Sequence, residues 1–239
     1  MSEREFKRRE IVLTRELASR LQRKFPLFRI YANKCPSRSP RIRKIWYEVF
    51  HELCPPLQPE MDIIILEPPD TSGAGIAEKL RAIEIKLYRK TDTRVSQSFY
   101  KGIEQSLALL RWGFDNVGLW QLFEESFTDD ELRNYGCRTW FYIHGLLQLP
   151  IEFTPIKLIG DRIEHMRFQV IQADWRNNLS PIRLRDIDDP TFQFSYTHDN
   201  PFVHFHVPTS QLANYPLLHD FIRQAGTLRQ FLLEWLRNR

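Results

Sequence analysis

Three ionisable side chains lie on two neighbouring apolar segments of the chain. Asp62 interrupts the run Met61 to Leu66, which is otherwise continuously apolar. Glu84 and Lys86 lie two positions apart in the alternating run Arg81 to Tyr88. Side chains two apart in a strand share one face, and two strands joined by a loop can pair antiparallel. The spacing therefore predicts that two carboxylates and one amine converge.

This combination of groups suits the hydrolysis of phosphodiester bonds. Carboxylate oxygens are the hard ligands that Mg²⁺ prefers, and the cation lowers the pKa of a bound water and stabilises crowded phosphate oxygens. A nearby ammonium orients water or neutralises charge. We therefore expect Asp62 and Glu84 to hold the metal and Lys86 to hold the water.

The same residues also have a purely structural interpretation. Glu-x-Lys is a weak motif in a chain with 30 acidic residues, and Asp62 and Lys86 would equally form a buried ion pair without catalysis. The placement favours a site, because an unpaired carboxylate within the most apolar strand would be costly.

Hydrophobic spacing predicts the elements that position these residues. Leu13, Leu17 and Leu21 recur every fourth residue, which predicts a helix from Glu10 to Lys24 with Glu10 on its inward face. The first half is further predicted to contain strands at 27–31, 61–66, 81–88 and 117–123, a helix at 40–53, a loop at 68–75, and a helix from Phe99 to Leu110 capped by Gly113.

The second half has a less regular pattern. It predicts a helix at 217–236 and strands at 138–149, 151–159, 166–173, 192–196 and 202–207. His204 and His206 would share one face of the last of these strands and are an alternative pair of metal ligands, although histidines of the core or surface are commoner than metal sites.

Asp62, Glu84 and Lys86, in the order of elements around them, resemble the PD-(D/E)XK nuclease superfamily, which includes many restriction endonucleases and Holliday-junction resolvases. The resemblance covers roughly residues 5–124, and nothing in the second half contributes to it. Two features depart from the family pattern. Met61 stands where the family has proline, and a helix is inserted between the first two strands.

The resemblance implies an α/β fold with a restriction-endonuclease-like core, in which helices flank a mixed central sheet. A β-rich C-terminal region with a closing helix would follow. The nuclease core would span 1–126 and the C-terminal region 127–239, as a separate unit or packed on the same core.

The resemblance also implies roles for individual residues. Asp62, Glu84 and the carbonyl of Ile85 would bind Mg²⁺, for which Mn²⁺ can substitute, and Glu10 would add an acidic contact to the metal or its water. Lys86 would orient the attacking water or help to deprotonate it. Residues one turn apart on the following helix, Lys101 and Gln105, would position water or phosphate. The implied catalytic set is Asp62, Glu84, Lys86, Glu10 and Gln105.

Basic residues are concentrated at one end of the chain. Residues 1–44 hold fourteen Lys and Arg against four Asp and Glu, a net charge of +10, whereas the remainder carries −6. Such a block is either a footprint for phosphate or a solvated surface. The residues expected to contact DNA are Arg38, Arg41, Arg43, Lys44 and Lys101.

Composition excludes several classes of protein. With 42% hydrophobic and 27% charged residues, the chain of 239 is neither disordered nor a coiled-coil rod. No run approaches the roughly 18 apolar residues of a membrane span, and the charged N-terminus is unlike a signal peptide, so we expect a cytoplasmic protein without a membrane partner. The three cysteines lack the close pairs of a zinc ribbon or redox site.

The sequence favours a Mg²⁺-dependent deoxyribonuclease. Two alternatives stay open, a non-catalytic nucleic-acid-binding protein on the same fold and a protein-interaction module whose carboxylates and lysine are structural. The residues do not specify which DNA structure is cut, or whether the process is restriction, repair, recombination or transposition. They also leave open whether the chain forms a homodimer, although cutting both strands of a duplex often uses two such sites.

Overall fold

A mixed β-sheet with helices on both faces organises the residues that the computed structural model describes, which are 3–50, 60–69, 78–90, 95, 98–195, 198–204 and 216–238. The helices are α1 (Glu3–Lys24), α2 (Pro40–Phe50), α3 (Ile103–Arg111), α4 (Asp129–Trp140) and α5 (Pro216–Arg237). The strands are β1 (Arg29–Lys34), β2 (Met61–Glu67), β3 (Lys79–Tyr88), β4 (Asn116–Phe123), β5 (Ile151–Ile159), β6 (Arg167–Gln172) and β7 (Arg183–Asp186). Short 3₁₀ helices span Pro36–Arg38 and Ile163–His165, and a π-helix at Phe141–Leu146 continues α4. Within the described ranges, no helix has the length and apolarity that a membrane crossing requires.

The described strands form one seven-stranded sheet in the order in which they follow along the chain. The first three strands pair antiparallel, β3, β4 and β5 pair parallel, and the last three again pair antiparallel. Parallel neighbours need a crossover connection. The chain supplies α3 between β3 and β4, and α4 between β4 and β5.

Each face of the sheet is covered by its own apolar core. On one face, Leu13, Leu17 and Leu21 of α1 pack with the odd-numbered side chains of β2 and β3, such as Ile63 and Ile83. On the other face, α3 and α5 pack with the even-numbered side chains of the same strands. Because both faces are covered, β2 and β4 are buried along almost their whole length.

Most of the predicted elements are confirmed, although α1 begins at Glu3 rather than Glu10, and α3 begins at Ile103 rather than Phe99, which leaves Lys101 before the helix. The helix at 40–53 is confirmed as far as Phe50, because 51–59 lie outside the described residues. The loop predicted at 68–75 lies mostly outside them as well, and β7 has no counterpart among the predictions. The confirmed elements include the helices at 10–24, 99–110 and 217–236 and the strands at 27–31, 61–66, 81–88, 117–123, 151–159 and 166–173.

The strand predicted at 138–149 is wrong, because this segment is the end of α4 and the π-helix that follows it. A capping box starts α4: the Glu131 N–H donates to the Thr128 hydroxyl at 3.3 Å, and the Thr128 N–H donates to the Glu131 carboxylate at 2.9 Å. Capping and burial of Leu132 therefore override the β-prone aromatic composition downstream.

The strands predicted at 192–196 and 202–207 are also wrong where the structure describes them. Phe192 and Phe194 are buried in irregular backbone against the α1 core, and the segment from 201 to 204 is a turn. In that turn, His204 Nε2 lies 2.9 Å from the buried carboxylate of Asp115, which also binds Arg229 at 2.7 Å. His204 therefore joins a contact that holds α5 to the sheet, while His206 lies outside the described residues.

A buried arginine between two glutamates ties β2, β3 and β5 together. Arg81 donates from Nε to Glu67 at 3.1 Å and from Nη1 to Glu152 at 2.8 Å. Burial raises the pKa of Glu152 to about 7, against the opposing effect of Arg81, and the charge of Glu67 adds to the rise. One proton is therefore held in this network below neutral pH.

We expect the Glu152 proton to make stability depend on pH. An unfolded glutamate titrates near 4.5, so between roughly pH 5 and 7 the native state binds more protons than the unfolded state, and rising pH lowers the free energy of unfolding. Glu152→Gln should flatten this dependence, because it removes a decrease on the order of 2 kcal/mol in the free energy of unfolding between pH 5 and 7. Urea unfolding across the interval measures it, with exposed Glu164→Gln as the control. A slope unchanged in Glu152→Gln would contradict the assignment.

Candidate active site

The candidate site lies where β2 separates from β3. The antiparallel ladder of the two strands ends at the pair Ile63 and Ile83, although both strands continue. Beyond that pair, Asp62 Oδ2 accepts a hydrogen bond from the main-chain N–H of Ile85 at 2.7 Å. A side chain thus replaces the missing strand partner. The carbonyl of Ile85 points to the same edge as its N–H, because the two groups of one residue face the same neighbour in a strand.

Glu10 reaches this edge from the other face of the sheet. It lies on α1 one turn before Leu13, and its Oε2 accepts a hydrogen bond from the N–H of Leu87 at 2.9 Å. Leu87 is two residues beyond Ile85 on β3. Two successive N–H groups on this edge of β3 are therefore bound by carboxylates rather than by β2.

Glu84 and Lys86 lie on the face of β3 that packs against α3. The Glu84 side chain is fully buried and Lys86 is only 8% exposed. Lys86 Nζ donates to Glu84 Oε1, whereas Glu84 Oε2 is buried and has no hydrogen-bond partner among the described residues. The pair therefore leaves one carboxylate oxygen available for a further ligand.

The electrostatics of these four residues, which we call the carboxylate cluster (Glu10, Asp62, Glu84 and Lys86), favour an additional positive charge. Burial raises the pKa of Asp62 to about 6 and that of Glu84 to about 8, and the charge of Asp62 adds to the rise at Glu84. Burial alone would lower the pKa of Lys86, but the surrounding carboxylates outweigh it and raise the pKa. Three carboxylates face one ammonium, so full ionisation would leave excess negative charge in a poorly solvated place.

Gly102 positions Lys86 and was not identified from the sequence. It precedes α3 with a φ of +95°, and a Cβ there would lie 2.9 Å from Lys86 Cγ and 2.7 Å from Leu119 Cδ1. Only glycine lets the backbone pass this close to the lysine stem in that conformation. The sequence signal that could have indicated it is a glycine inside the helix predicted at 99–110, where glycine is unfavourable.

A buried hydrogen-bond network holds the turn that carries Gly102. The Tyr88 hydroxyl donates to the carbonyl of Ser98 at 2.8 Å. Gln121 Nε2 donates to the carbonyl of Phe99 at 2.8 Å, and the Thr139 hydroxyl donates to the same carbonyl at 3.0 Å. β3, β4 and α4 together therefore fix the backbone that lies over Lys86.

The other sequence-predicted site residues lie outside the carboxylate cluster. Gln105 is half-buried in the first turn of α3 and Lys101 is exposed just before it, and neither is hydrogen-bonded to the cluster among the described residues. Arg38 and Arg43 are exposed, and Lys44 is paired with Glu48 at 3.6 Å. The predicted contact Arg41 lies in α2, but its side chain is outside the described part.

The donor set of the cluster fits a hard divalent cation. It offers carboxylate oxygens, one of them buried without a partner, and excess negative charge. Among the described residues, however, no group of three or more His, Cys, Asp or Glu side chains is already assembled around one point. Asp62 and Glu10 are instead engaged by N–H groups of β3, and Glu84 by Lys86.

Chemically, this arrangement can hold a cation at Asp62 and Glu84 and present a protonated amine beside it. The part of the site built from β2, β3, α1 and α3 is the part for which the sequence resembles a known superfamily. Comparison with protein-family models, with curated proteins and with solved structures found no match to this chain.

Proposed function

We propose that the chain is a metal-dependent nuclease that hydrolyses DNA phosphodiester bonds. The observation that carries the proposal is the convergence of Glu10, Asp62, Glu84 and Lys86 at the point where β2 leaves β3. The order of α1, three antiparallel strands, α3 and a parallel strand around these residues supports it further.

Charge supports a divalent cation as the cofactor. A buried excess of carboxylate over ammonium is costly unless protons or a cation neutralise it. Asp62, Glu84 and the Ile85 carbonyl would hold Mg²⁺ or Mn²⁺, and Glu10 would contact the cation or its water. When bound, the cation would supply an acidified water and stabilise charge on the phosphate.

Lys86 would then orient the attacking water rather than deprotonate it. Because its pKa is raised, the amine stays protonated at neutral pH and donates hydrogen bonds. The bond to Glu84 and the contact with Gly102 fix its direction. Gln105 and Lys101, at the start of the neighbouring helix, would position water and the flanking phosphate.

The basic surface at the start of α2 is proposed to dock the phosphate backbone. Replacing Arg38, Arg41 and Arg43 together with alanine should weaken binding equally for all DNA sequences and reduce the slope of log K against log salt by roughly 2 to 3. Fluorescence anisotropy at several salt concentrations measures both quantities.

A matched control removes the same charge from exposed arginines elsewhere. Arg162, Arg167 and Arg183 serve this purpose because all three are exposed and none lies on α5, the helix that packs against α2. Replacing these three with alanine should leave affinity and salt slope near the parental values. If the α2 triple variant binds as the parent does, α2 faces solvent or a protein partner.

The function is tested by incubating the full chain with supercoiled plasmid, linear duplex and branched DNA, each with and without Mg²⁺ or Mn²⁺. We expect cleavage that EDTA abolishes. Salt-sensitive binding without cleavage of any substrate would favour a non-catalytic nucleic-acid-binding protein instead. Neither binding nor cleavage would favour a protein-interaction module. Sedimentation of the same sample shows whether two sites assemble as a homodimer.

A further inference from the structure

A row of aromatic side chains leads away from the carboxylate cluster. It begins in the turn before α3 and continues along the C-terminal end of α4 to the loop that follows β6. Phe99, Tyr100 and Tyr142 contact one another ring to ring, Trp140, Phe141 and Trp175 line a neighbouring cleft, and we call these two groups together the aromatic row.

The first rings of the row lie beside the lysine of the cluster. Gly102 packs directly on the Lys86 stem, and Tyr100 is only two residues before Gly102. The Tyr100 ring lies 5.2 Å from Phe99 and 6.2 Å from Tyr142, centroid to centroid, and Tyr100 is 52% exposed. The turn that carries Tyr100 therefore lies against the lysine at which a phosphate is proposed to bind.

The middle of the row is exposed by the π-helix that ends α4. Phe141 is 61% exposed, and Leu146 and Leu147 beside it are also exposed. Single π-helical turns often lie at functional sites, and exposed apolar side chains that adjoin one another can mark a binding surface. Tyr100 and Phe141 are thus open to solvent, whereas Tyr142 and Trp175 are partly buried against the core.

The far end of the row forms a cleft of about 460 Å³ with aromatic walls and polar groups. Trp140 and Trp175 line it together with Arg176 and Asn178, and the Arg176 guanidinium lies 5.5 Å from the Trp140 ring centroid. A Cβ on Gly136 would lie 2.1 Å from the Trp175 ring, so the indole lies directly on the α4 backbone.

We propose that the aromatic row binds unpaired nucleotides by base stacking, so that the substrate carries a single-stranded segment next to the cleaved bond. Exposed ring faces and a guanidinium stack on bases of any sequence, and an amide can hydrogen-bond a base edge. Bases within a duplex already stack on each other and cannot use these rings. This inference rests on the proposed nuclease function, because it assumes that the cleaved nucleic-acid strand binds at Lys86.

The experiment compares binding of dye-labelled dT12 and a blunt 12-base-pair duplex to the full chain in EDTA. Tyr100→Ala and Phe141→Ala should each weaken dT12 binding about 10-fold, because one stacked base is lost, and should change duplex binding little. Tyr100→Phe should keep the parental affinity, since it keeps the ring. Leu27→Ala, which truncates an apolar side chain that is 80% exposed on another part of the chain, is the control.

The outcomes separate this inference from the proposed function. Unchanged dT12 affinity in both alanine variants of a chain that cleaves DNA would overturn the inference alone. If the chain binds dT12 through these rings but cleaves no DNA, the aromatic row does stack on bases and the proposed nuclease function is wrong. Self-association in sedimentation that Phe141→Ala abolishes, with dT12 affinity unchanged, would show a dimer interface instead and overturn the inference.

Discussion

Lys86→Ala is expected to reduce the rate of DNA cleavage roughly 10²- to 10⁴-fold while Mn²⁺ affinity and DNA affinity stay near parental values. Lys86 is the only amine hydrogen-bonded to Glu84 among the described residues, and Gly102 holds its stem in place. Removing the amine leaves the carboxylates that would hold the cation. Chemistry should therefore fail although binding survives, a larger effect than the loss of one phosphate contact.

Two further variants define what the amine contributes. Lys86→Arg should restore little activity, because a planar guanidinium is bulkier and places its charge differently. Lys157→Ala, which removes a lysine of β5 that pairs with Asp129, should cleave at the parental rate. Single-turnover cleavage with metal in excess measures all three rates. A Lys86→Ala protein as fast as the parent would make Lys86 a structural partner of Glu84.

The carboxylates should behave differently from the lysine. We expect Asp62→Ala and Glu84→Ala to abolish cleavage and divalent-ion binding together while the fold remains, because both would be ligands. Asp62→Asn is the gentler variant, since its amide oxygen can still accept the bond from the Ile85 N–H while the charge is removed.

Removing the negative charge of Asp62 should also change the stability of the metal-free protein. Because Asp62 raises the pKa of Glu84, Asp62→Asn should increase the melting temperature measured in EDTA. Asp161→Asn, on an exposed turn, is the control and should leave cleavage and melting temperature near parental. Undiminished Mn²⁺ binding in both Asp62→Ala and Glu84→Ala would remove these residues from the metal site.

The sequence predicted which side chains converge, because the spacing of residues along a strand or helix determines the face on which their side chains lie. The alternation in β3 placed Glu84 and Lys86 on one face, and the spacing of leucines in α1 placed Glu10 inward. That Glu84 would be fully buried could not be predicted, because burial depends on α3 and its preceding turn covering the polar face. The point at which β2 separates from β3 could not be predicted either, because it depends on how the two strands pair and not on the sequence of either strand alone.

The errors have physical causes of the same kind. The segment after α4 has aromatic and β-branched residues that favour strands, yet the capping box at Thr128 and the packing of Leu132 extend a helix into it. His204 was assigned to a strand because it alternates with apolar residues. Its N–H instead donates to the carbonyl of Asn200 at 2.9 Å, and the Asn200 N–H donates to the carbonyl of Asp115, so contacts distant along the chain hold it in a turn. Gly102 leaves no periodic signal at all.

We propose that the carboxylate cluster takes a divalent cation in place of protons. Calorimetric titration of the full chain with Mn²⁺ at pH 7, repeated in buffers of different ionisation enthalpy, measures the cation bound and the protons released. Because the pKa of Glu84 is about 8, binding should release about one proton per cation, and Glu84→Gln should bind at least about 100-fold more weakly. Binding of equal strength in Glu84→Gln, or no binding by the parent, would contradict the account.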